Sequence, residues 1–262
     1  MMWTTRPRSD AFDLPCIVAG RGPRVVLLHG VGLRAEAWGA QIDDLSRDYT
    51  VQAFDMPGHG AAAPMEGPVS LAAYTDRLAE TLDAGAVVVG HSMGAMIALD
   101  LAARYPGLVH GVVAMNAIYQ RTPEAALAVR RRAAELDGIH VADPSGAIAR
   151  WFGDSERPEV RACRTWLQQV DPGGYRDAYT VFAHADCPDP TDLRQMQMPA
   201  LFLTGADDPN STPVMSRAMA RAAPNARAEI VAGAAHMLPM THAAAVNDIL
   251  RAFIRTCPSK GA

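Results

Sequence analysis

Short apolar runs recur along the first half of the chain, and each ends in a loop followed by a helical pattern. These runs are rich in β-branched residues and cover residues 24–28, 50–54, 87–89 and 108–115. Such runs, alternating with helical segments, are typical of parallel βαβ units. The pattern therefore predicts an α/β protein with a parallel sheet flanked by helices.

The alternation of apolar runs and helical segments stops after the fourth run, since residues 119–198 are helical in pattern and contain no convincing buried strand. Two further strands are predicted at 200–204 and 228–231, separated by a helix at 213–223 and followed by a final helix at 242–255. This organisation predicts an α/β core formed by residues 1–118 and 199–262. Residues 119–198 are expected to form a helical insertion.

Composition fits one globular domain or a domain with an insertion, because 49% of the 262 residues are apolar and only 20% are charged. The apolar runs are far shorter than the roughly 20 residues that span a bilayer, which argues against a membrane protein. Behind Arg6 and Arg8 there is no apolar run of about 7 to 15 residues, as a secretory signal would require. We therefore expect a cytoplasmic protein.

Charge and cysteine spacing exclude several other classes of function. The four cysteines, Cys16, Cys163, Cys187 and Cys257, form no CxxC pair, so neither a zinc site nor a redox pair is predicted. The net charge is −4 and no basic stripe is present, which argues against nucleic-acid binding. The run 130–132, three arginines, is interpreted as a solvated helix face, with an anion clamp as the alternative. We expect a small-molecule partner and no cofactor.

The strongest local signal is the pentapeptide Gly90-His91-Ser92-Met93-Gly94, which follows the apolar run 86–89 and precedes the helical run 95–105. A serine on a sharp turn between strand and helix leaves no room for side chains two residues before or after it. The turn would present the hydroxyl at the carboxyl edge of the sheet, where ligands bind in α/β folds. Ser92 is therefore predicted to be a nucleophile.

A serine nucleophile needs a base that is itself oriented by an acid. His236 follows the last predicted strand by five residues and would emerge at the same edge, with His242 as its positional rival. The adjacent Asp207 and Asp208 follow strand 200–204, and we assign Asp208 as the acid and Asp207 as a turn residue. The order serine, aspartate, histidine is the order expected of α/β-hydrolases.

Acyl transfer also needs hydrogen-bond donors for the developing oxyanion. The backbone N–H of Met93, which follows the nucleophile, is one candidate. The second is the N–H of Val31, in the loop His29-Gly30-Val31-Gly32 that follows the first parallel strand. His29, His59 and His91 lie in motif loops and are predicted to support those turns rather than to react.

Five segments together resemble the α/β-hydrolase family: HGVGLRAEAW at 29–38, DMPGHG at 55–60, GHSMG at 90–94, GADDP at 205–209 and GAAHM at 233–237. The resemblance extends from about residue 15 to about residue 253. It implies an eight-stranded, mostly parallel sheet with a helical cap inserted after strand six, and it places nucleophile, acid and base at Ser92, Asp208 and His236. The N-terminal hairpin is poorly marked, with only 14–19 readable as a strand, so a seven-stranded sheet is the alternative.

Segments 149–152 and 171–182 are similar to 3-oxoadipate enol-lactonases, although the loop HGVG carries a glycine where many of these enzymes have serine. The resemblance implies a small ester or lactone as substrate. Candidate substrate-binding residues are Gly30, Asn116, Ile118 and Trp151, with Trp151 as a pocket wall.

The leading hypothesis is a cofactor-independent serine hydrolase that cleaves an ester or lactone of a small metabolite through an acyl-enzyme. A carbon–carbon bond hydrolase for ring-cleavage products, an amidase or an acyltransferase would use the same triad. From a different class, a ligand receptor or a cofactor-free oxygenase can occupy this fold. Haloalkane dehalogenases and epoxide hydrolases fit less well, because they need a carboxylate where Ser92 stands.

Overall fold

The computed structural model describes residues 3–82, 85–153, 155–186 and 188–258. Within them seven strands form a single sheet in the order β1-β3-β2-β4-β5-β6-β7. Only β1 is antiparallel to its neighbour. The strands are β1 (Cys16–Ala19), β2 (Arg24–Leu28), β3 (Thr50–Phe54), β4 (Ala86–His91), β5 (Val109–Met115), β6 (Ala200–Gly205) and β7 (Ala226–Val231).

Among the described residues the sheet has seven strands, the smaller of the two numbers expected from the sequence. Where a first hairpin strand would pair with β1, a single antiparallel bridge joins Ser9 to Cys16, and the Ser9 N–H donates to the Cys16 carbonyl at 2.8 Å. Hydrogen bonds from the Arg8 side chain to Glu36 and Asp55 anchor the segment before β1. As a result, the long helical insertion follows the fifth strand rather than the sixth.

Both faces of the sheet are covered by helices, which explains why its inner strands are apolar at nearly every position. On β2, Val25 and Leu27 face one helical layer and Val26 and Leu28 face the other. The first layer contains α1 (Gly39–Leu45) and α11 (Ala243–Ile254), and the short α10 (Leu238–Thr241) precedes α11. The second layer contains α2 (Leu71–Thr81), α3 (Met93–Arg104) and α9 (Pro213–Ala222).

In the described ranges five helices lie between β5 and β6, and the prolines that interrupt the sequence pattern there mark helix starts. Pro123, Pro158, Pro172 and Pro190 each occupy the first turn of a helix, where the missing N–H has no intrahelical acceptor to lose. The helices are α4 (Pro123–Ala134), α5 (Ser145–Phe152), α6 (Pro158–Gln169), α7 (Pro172–His184) and α8 (Pro190–Gln195).

The inserted helices pack over the carboxyl edge of the sheet. Leu33, in the loop after β2, shares a core cluster with Trp166 and Leu167 of α6 and with Met240 of α10. A methyl group added at Gly32 would collide with Leu167 and Tyr175, so this loop lies directly against α6 and α7. The carboxyl ends of the strands and the insertion therefore enclose a common space.

Element boundaries differ little from those predicted. Strand β4 extends to His91 and α3 begins at Met93, so the turn at Ser92 is a single residue long. No helix within the described ranges has the length and apolar character needed to cross a bilayer. Cys16, Cys163 and Cys257 are free thiols, and Cys187 lies outside the described residues.

A buried ion network ties the N-terminal segment to two loops of the sheet edge. The Arg8 guanidinium donates to Glu36 at 2.7 and 2.8 Å and to Asp55 at 2.7 and 3.0 Å. Both acceptor side chains are fully buried, and Asp55 also accepts the N–H groups of Ala35 and Ala61. Burial would raise the pKa of Glu36, but hydrogen bonds from Arg8 and the Arg6 N–H lower it to about 2.

Arg8→Met should lower the free energy of unfolding by about 3–5 kcal/mol at pH 7, because it leaves the buried Asp55 without its cation and Glu36 paired with Arg34 alone. The pKa of Glu36 is lower in the folded protein, so its contribution is present above its ordinary pKa of 4.5 and lost as pH falls toward 2. The difference between variant and wild type should therefore shrink across that window. Urea denaturation at pH 7, 5 and 3 measures both effects.

Arg6→Met is the matched control, because the Arg6 side chain pairs with Asp43, whose side chain is 55% exposed. A surface pair of this kind contributes at most about 1 kcal/mol. Equal unfolding midpoints for the two variants would contradict a structural role for the Arg8 network.

Candidate active site

Ser92 occupies a strained turn between β4 and α3. Its φ of 57° and ψ of −117° are unusual for a residue with a side chain, and its N–H donates to the Met115 carbonyl of β5 at 2.8 Å. A methyl group at Gly90 would collide with the backbone of Gly94, and one at Gly94 would collide with the backbone of Leu28. The two glycines therefore allow the turn to pack against β2.

Asp208 and His236 meet at the carboxyl ends of β6 and β7. The His236 Nδ1–H donates to Asp208 Oδ2 at 2.8 Å, and Asp208 Oδ1 accepts the N–H groups of Asn210 and Ser211 at 2.9 and 3.1 Å. Burial would raise the pKa of Asp208, but the hydrogen bond and charge of His236 and these backbone donors lower it to about 2. Asp208 is therefore an ionised acceptor that orients the His236 ring.

Asp207 and His242, the alternative candidates for acid and base, lie outside this contact. Asp207 is exposed, and its N–H donates to the Ala234 carbonyl at 2.9 Å, which suits a turn residue. His242 precedes α11, where its Nδ1 lies 2.9 Å from the Thr241 hydroxyl. Neither side chain reaches the contact between Asp208 and His236.

Ser92 and His236 share the wall of a cavity of about 520 Å³ beneath the inserted helices. Gly30, Val31, Ile118 and Trp151 line the same cavity. The Trp151 ring stacks on the His236 imidazole at a centroid distance of 6.2 Å and an angle of 24°.

Among the described residues the Ser92 hydroxyl makes no hydrogen bond to His236. Catalytic hydrogen bonds of this kind often tighten only when substrate is bound. The arrangement thus places a strained serine and an oriented histidine in one cavity.

The loop after β2 lies against the turn at Ser92. A methyl group at Gly30 would be 3.0 Å from the Ser92 Cβ, so the following N–H, that of Val31, belongs to the immediate surroundings of the serine. Met93 is the first residue of α3, and N–H groups at a helix start have no intrahelical acceptor. The Met93 side chain packs in the core and contributes only its backbone to the site.

Three buried histidines act as neutral supports of these loops. Burial lowers the pKa of His29, and it lowers the pKa of His59 and of His91 to about 3. His29 accepts the Met56 N–H at 3.0 Å and donates to the Gly30 carbonyl at 2.8 Å. His59 donates to the Pro57 carbonyl, and His91 donates to the carbonyl of His236. Each ring therefore holds one backbone carbonyl in place through a hydrogen bond.

A family model described as "Alpha/beta hydrolase family" matches residues 25–249 of the chain. The chain belongs to this family. It is 38% identical over 245 residues to the (E)-2-((N-methylformamido)methylene)succinate hydrolase of Acinetobacter baylyi, a match that covers 91% of this chain and 93% of the relative. Its relatives include named hydrolases and esterases, and this α/β-hydrolase is an enzyme.

Two solved structures extend the likeness. The enol-lactonase of Burkholderia xenovorans LB400 superposes with a TM-score of 0.82 at 25% identity, covering 95% of this chain and all of that one. A thermophilic esterase from Thermogutta terrifontis gives a TM-score of 0.81 at 28% identity, covering 92% and 93%. The α/β-hydrolase fold expected from the motifs is thereby confirmed.

Asn116, predicted to bind substrate, does not line the cavity of this α/β-hydrolase. It is fully buried at the end of β5, and its Nδ2 donates to Asp208 Oδ2 at 2.7 Å and to the Thr204 hydroxyl at 3.2 Å. Because β6 lies beside β5, the amide points toward the acid loop. Asn116 instead positions Asp208, a role that its place at a strand end next to β6 could have suggested.

The cavity wall includes residues that were not among the predicted substrate-binding residues. Arg132 and Arg150 line the cavity, although the run 130–132 was interpreted as a solvated face. Arg130 and Arg131 are indeed exposed. Only the orientation of α4 distinguishes Arg132 from its neighbours.

Gly94→Ala should destabilise the α/β-hydrolase by about 1–3 kcal/mol, because the added methyl group collides with the β2 backbone. Helix propensity alone predicts the opposite sign, a gain of about 1 kcal/mol for alanine in α3. Thermal and urea unfolding determine which effect dominates. Gly107→Ala is the control, since a methyl group there meets nothing within 4 Å. A Gly94→Ala protein more stable than wild type would refute the packing argument.

Proposed function

We propose that this α/β-hydrolase is a cofactor-independent serine hydrolase that cleaves an ester or lactone of a small metabolite. Ser92 is the nucleophile, His236 the general base and Asp208 the acid that orients it. The observation that carries the proposal is the hydrogen bond of 2.8 Å between His236 and the ionised Asp208, next to a strained serine in the same cavity.

In the proposed reaction the Ser92 Oγ attacks the substrate carbonyl carbon while its proton passes to His236 Nε2. The tetrahedral oxyanion accepts hydrogen bonds from the N–H groups of Val31 and Met93. Collapse of this intermediate expels the leaving alkoxide, which takes the proton from His236, and leaves an ester on Ser92. Water then attacks this acyl-enzyme by the same route, which releases the acid and restores the serine.

We further propose that residues 119–198 act as a cap on a core formed by 1–118 and 199–262. Trp151 of α5 stacks on His236, and the loop after β2 packs against α6 and α7. A cap in this position would exclude bulk water from the acyl-enzyme and shape the substrate cavity.

An amide is the second candidate for the scissile bond. The name of the Acinetobacter baylyi relative specifies an N-methylformamido group in its substrate, and that relative is 38% identical to this chain. The same triad would expel an amine instead of an alkoxide after protonation by His236. The structural relatives named as an esterase and an enol-lactonase favour the ester or lactone as the leading candidate.

Ser92→Ala should abolish turnover and leave folding intact, since the Ser92 hydroxyl makes no hydrogen bond among the described residues. A fluorophosphonate probe followed by peptide mapping should label wild-type protein at Ser92, and a panel of short p-nitrophenyl esters, small lactones and N-acyl amides ranks the bond type. Full activity in Ser92→Ala would overturn the mechanism. Folded wild-type protein that takes no label would favour the receptor or oxygenase alternative.

Asp208→Asn should lower kcat by about 10²–10⁴, because His236 would lose the anion that holds its reactive tautomer. Asp207→Asn is the matched control and should retain wild-type kcat. With a pKa of about 2, Asp208 is ionised throughout an assay from pH 5 to 9, so its loss should lower the whole profile. Equal rates for the two variants would remove Asp208 from the triad.

A further inference from the structure

The cavity above Ser92 has a charge opposite to that of the chain as a whole. Its described wall contains Arg121, Arg132 and Arg150 and no aspartate or glutamate, whereas the chain carries a net charge of −4. Burial of uncompensated positive charge is unfavourable, so arginines persist in a cavity wall only if paired, hydrated or met by a ligand. The partners of each arginine therefore decide its role.

Arg121 is committed to the protein backbone. Its Nη1 donates to the Ala185 carbonyl at 2.7 Å and its Nη2 to the Phe182 carbonyl at 2.8 Å, while the guanidinium stacks on the Phe182 ring at 4.8 Å. Its side chain is only 6% exposed. Arg121 thus closes the end of α7 and is not a free cation.

Most N–H donors of Arg132 and Arg150 have no acceptor among the described residues. Arg132 uses only Nε, which donates to the Tyr179 hydroxyl at 3.1 Å. For the Arg150 guanidinium the described part of the chain supplies neither a hydrogen bond nor an ion pair. Arg132 is half-buried and Arg150 is exposed, so both can be hydrated before a ligand arrives.

The charges of both guanidinium groups act on the phenol of Tyr175. Tyr175 lines it, and burial raises the pKa of its phenol to about 12 although the charges of Arg150 and Arg132 lower it. The phenol therefore remains protonated, and it lies within the field of both arginines. The charges of two arginines on different helices, α4 and α5, therefore reach one neutral hydroxyl of the cavity wall.

Helices α4 and α5 place Arg132 and Arg150 in the same cavity wall as Ser92. Ala125, Val129 and Arg132 line the cavity with spacings of four and three, so they occupy a single face of α4. Arg150 directly precedes Trp151, whose ring stacks on His236. The arginine pair and the reaction centre are therefore parts of one continuous wall.

We propose that Arg132 and Arg150 form a carboxylate-binding subsite, which selects substrates that carry a free carboxylate besides the bond cleaved at Ser92. Guanidinium groups bind carboxylates through paired, charge-assisted hydrogen bonds, which are stronger than neutral ones. Aromatic walls from Trp151 and Tyr179 would pack the carbon chain between the two ends. The substrate class rests on the proposed hydrolase function, whereas carboxylate binding does not.

The kinetic test compares monomethyl esters of succinate, glutarate and adipate with the same esters whose free acid is replaced by a carboxamide. Each pair has nearly the same shape and differs in charge. Wild-type kcat/KM should be at least about tenfold higher for the acid of the best chain length. Arg132→Gln and Arg150→Gln should each raise KM for that acid about tenfold and leave the carboxamide unchanged.

Arg131→Gln is the matched control, because Arg131 is an exposed neighbour on α4 that does not line the cavity. It should match wild type on both esters, and Arg150→Lys should recover part of the loss in Arg150→Gln. Hydrolysis of acid and carboxamide esters at equal kcat/KM, with no effect of the arginine variants, would overturn the subsite and leave the serine hydrolase intact.

Binding without turnover separates the two proposals. Calorimetric titration of wild-type protein with glutarate and with glutaramide should detect binding of the diacid alone, and either Gln variant should weaken it about tenfold. If Ser92 takes no label and no ester is cleaved while glutarate still binds through Arg132 and Arg150, the hydrolase proposal fails and the subsite stands. Absence of any arginine-dependent diacid binding would overturn the subsite.

Discussion

Close packing between the turn at Ser92 and strand β2 is the constraint on which the site depends. Gly94 touches the Leu28 carbonyl so closely that a single methyl group cannot be added, and Gly90 touches Gly94 in the same way. This contact keeps Ser92 at a φ of 57°, a strained value for a residue with a side chain. The same turn brings the start of α3, with the Met93 N–H, to the loop after β2.

Polar groups around the turn are buried, and hydrogen bonds offset the loss of water. Asp208 accepts four such bonds, two at Oδ2 from Asn116 and His236 and two at Oδ1 from backbone N–H groups. Its pKa falls to about 2 because these donors outweigh desolvation. The histidines at 29, 59 and 91 show the converse case, since burial keeps them neutral and each donates to one carbonyl.

The arginines of this enzyme illustrate two uses of one side chain. Arg8 is surrounded by Glu36 and Asp55, and all its charge is satisfied within the protein. Arg132 and Arg150 line a cavity that has no acidic side chain in its described wall, so their charge is available to a ligand. The difference lies in which loops bring carboxylates to the guanidinium.

The sequence by itself determined the parallel α/β architecture and the order of Ser92, Asp208 and His236 along the chain. Strand periodicity and glycine spacing are local properties, and residues that follow parallel strands must emerge at one edge of the sheet. Only the tertiary structure decided the seven-strand sheet, the contact of Asn116 with Asp208, and the network of Arg8 with partners 28 and 47 residues away. It also decided that Arg132 faces the cavity while Arg131 faces solvent, because side-chain direction depends on how α4 packs and not on the residues beside it.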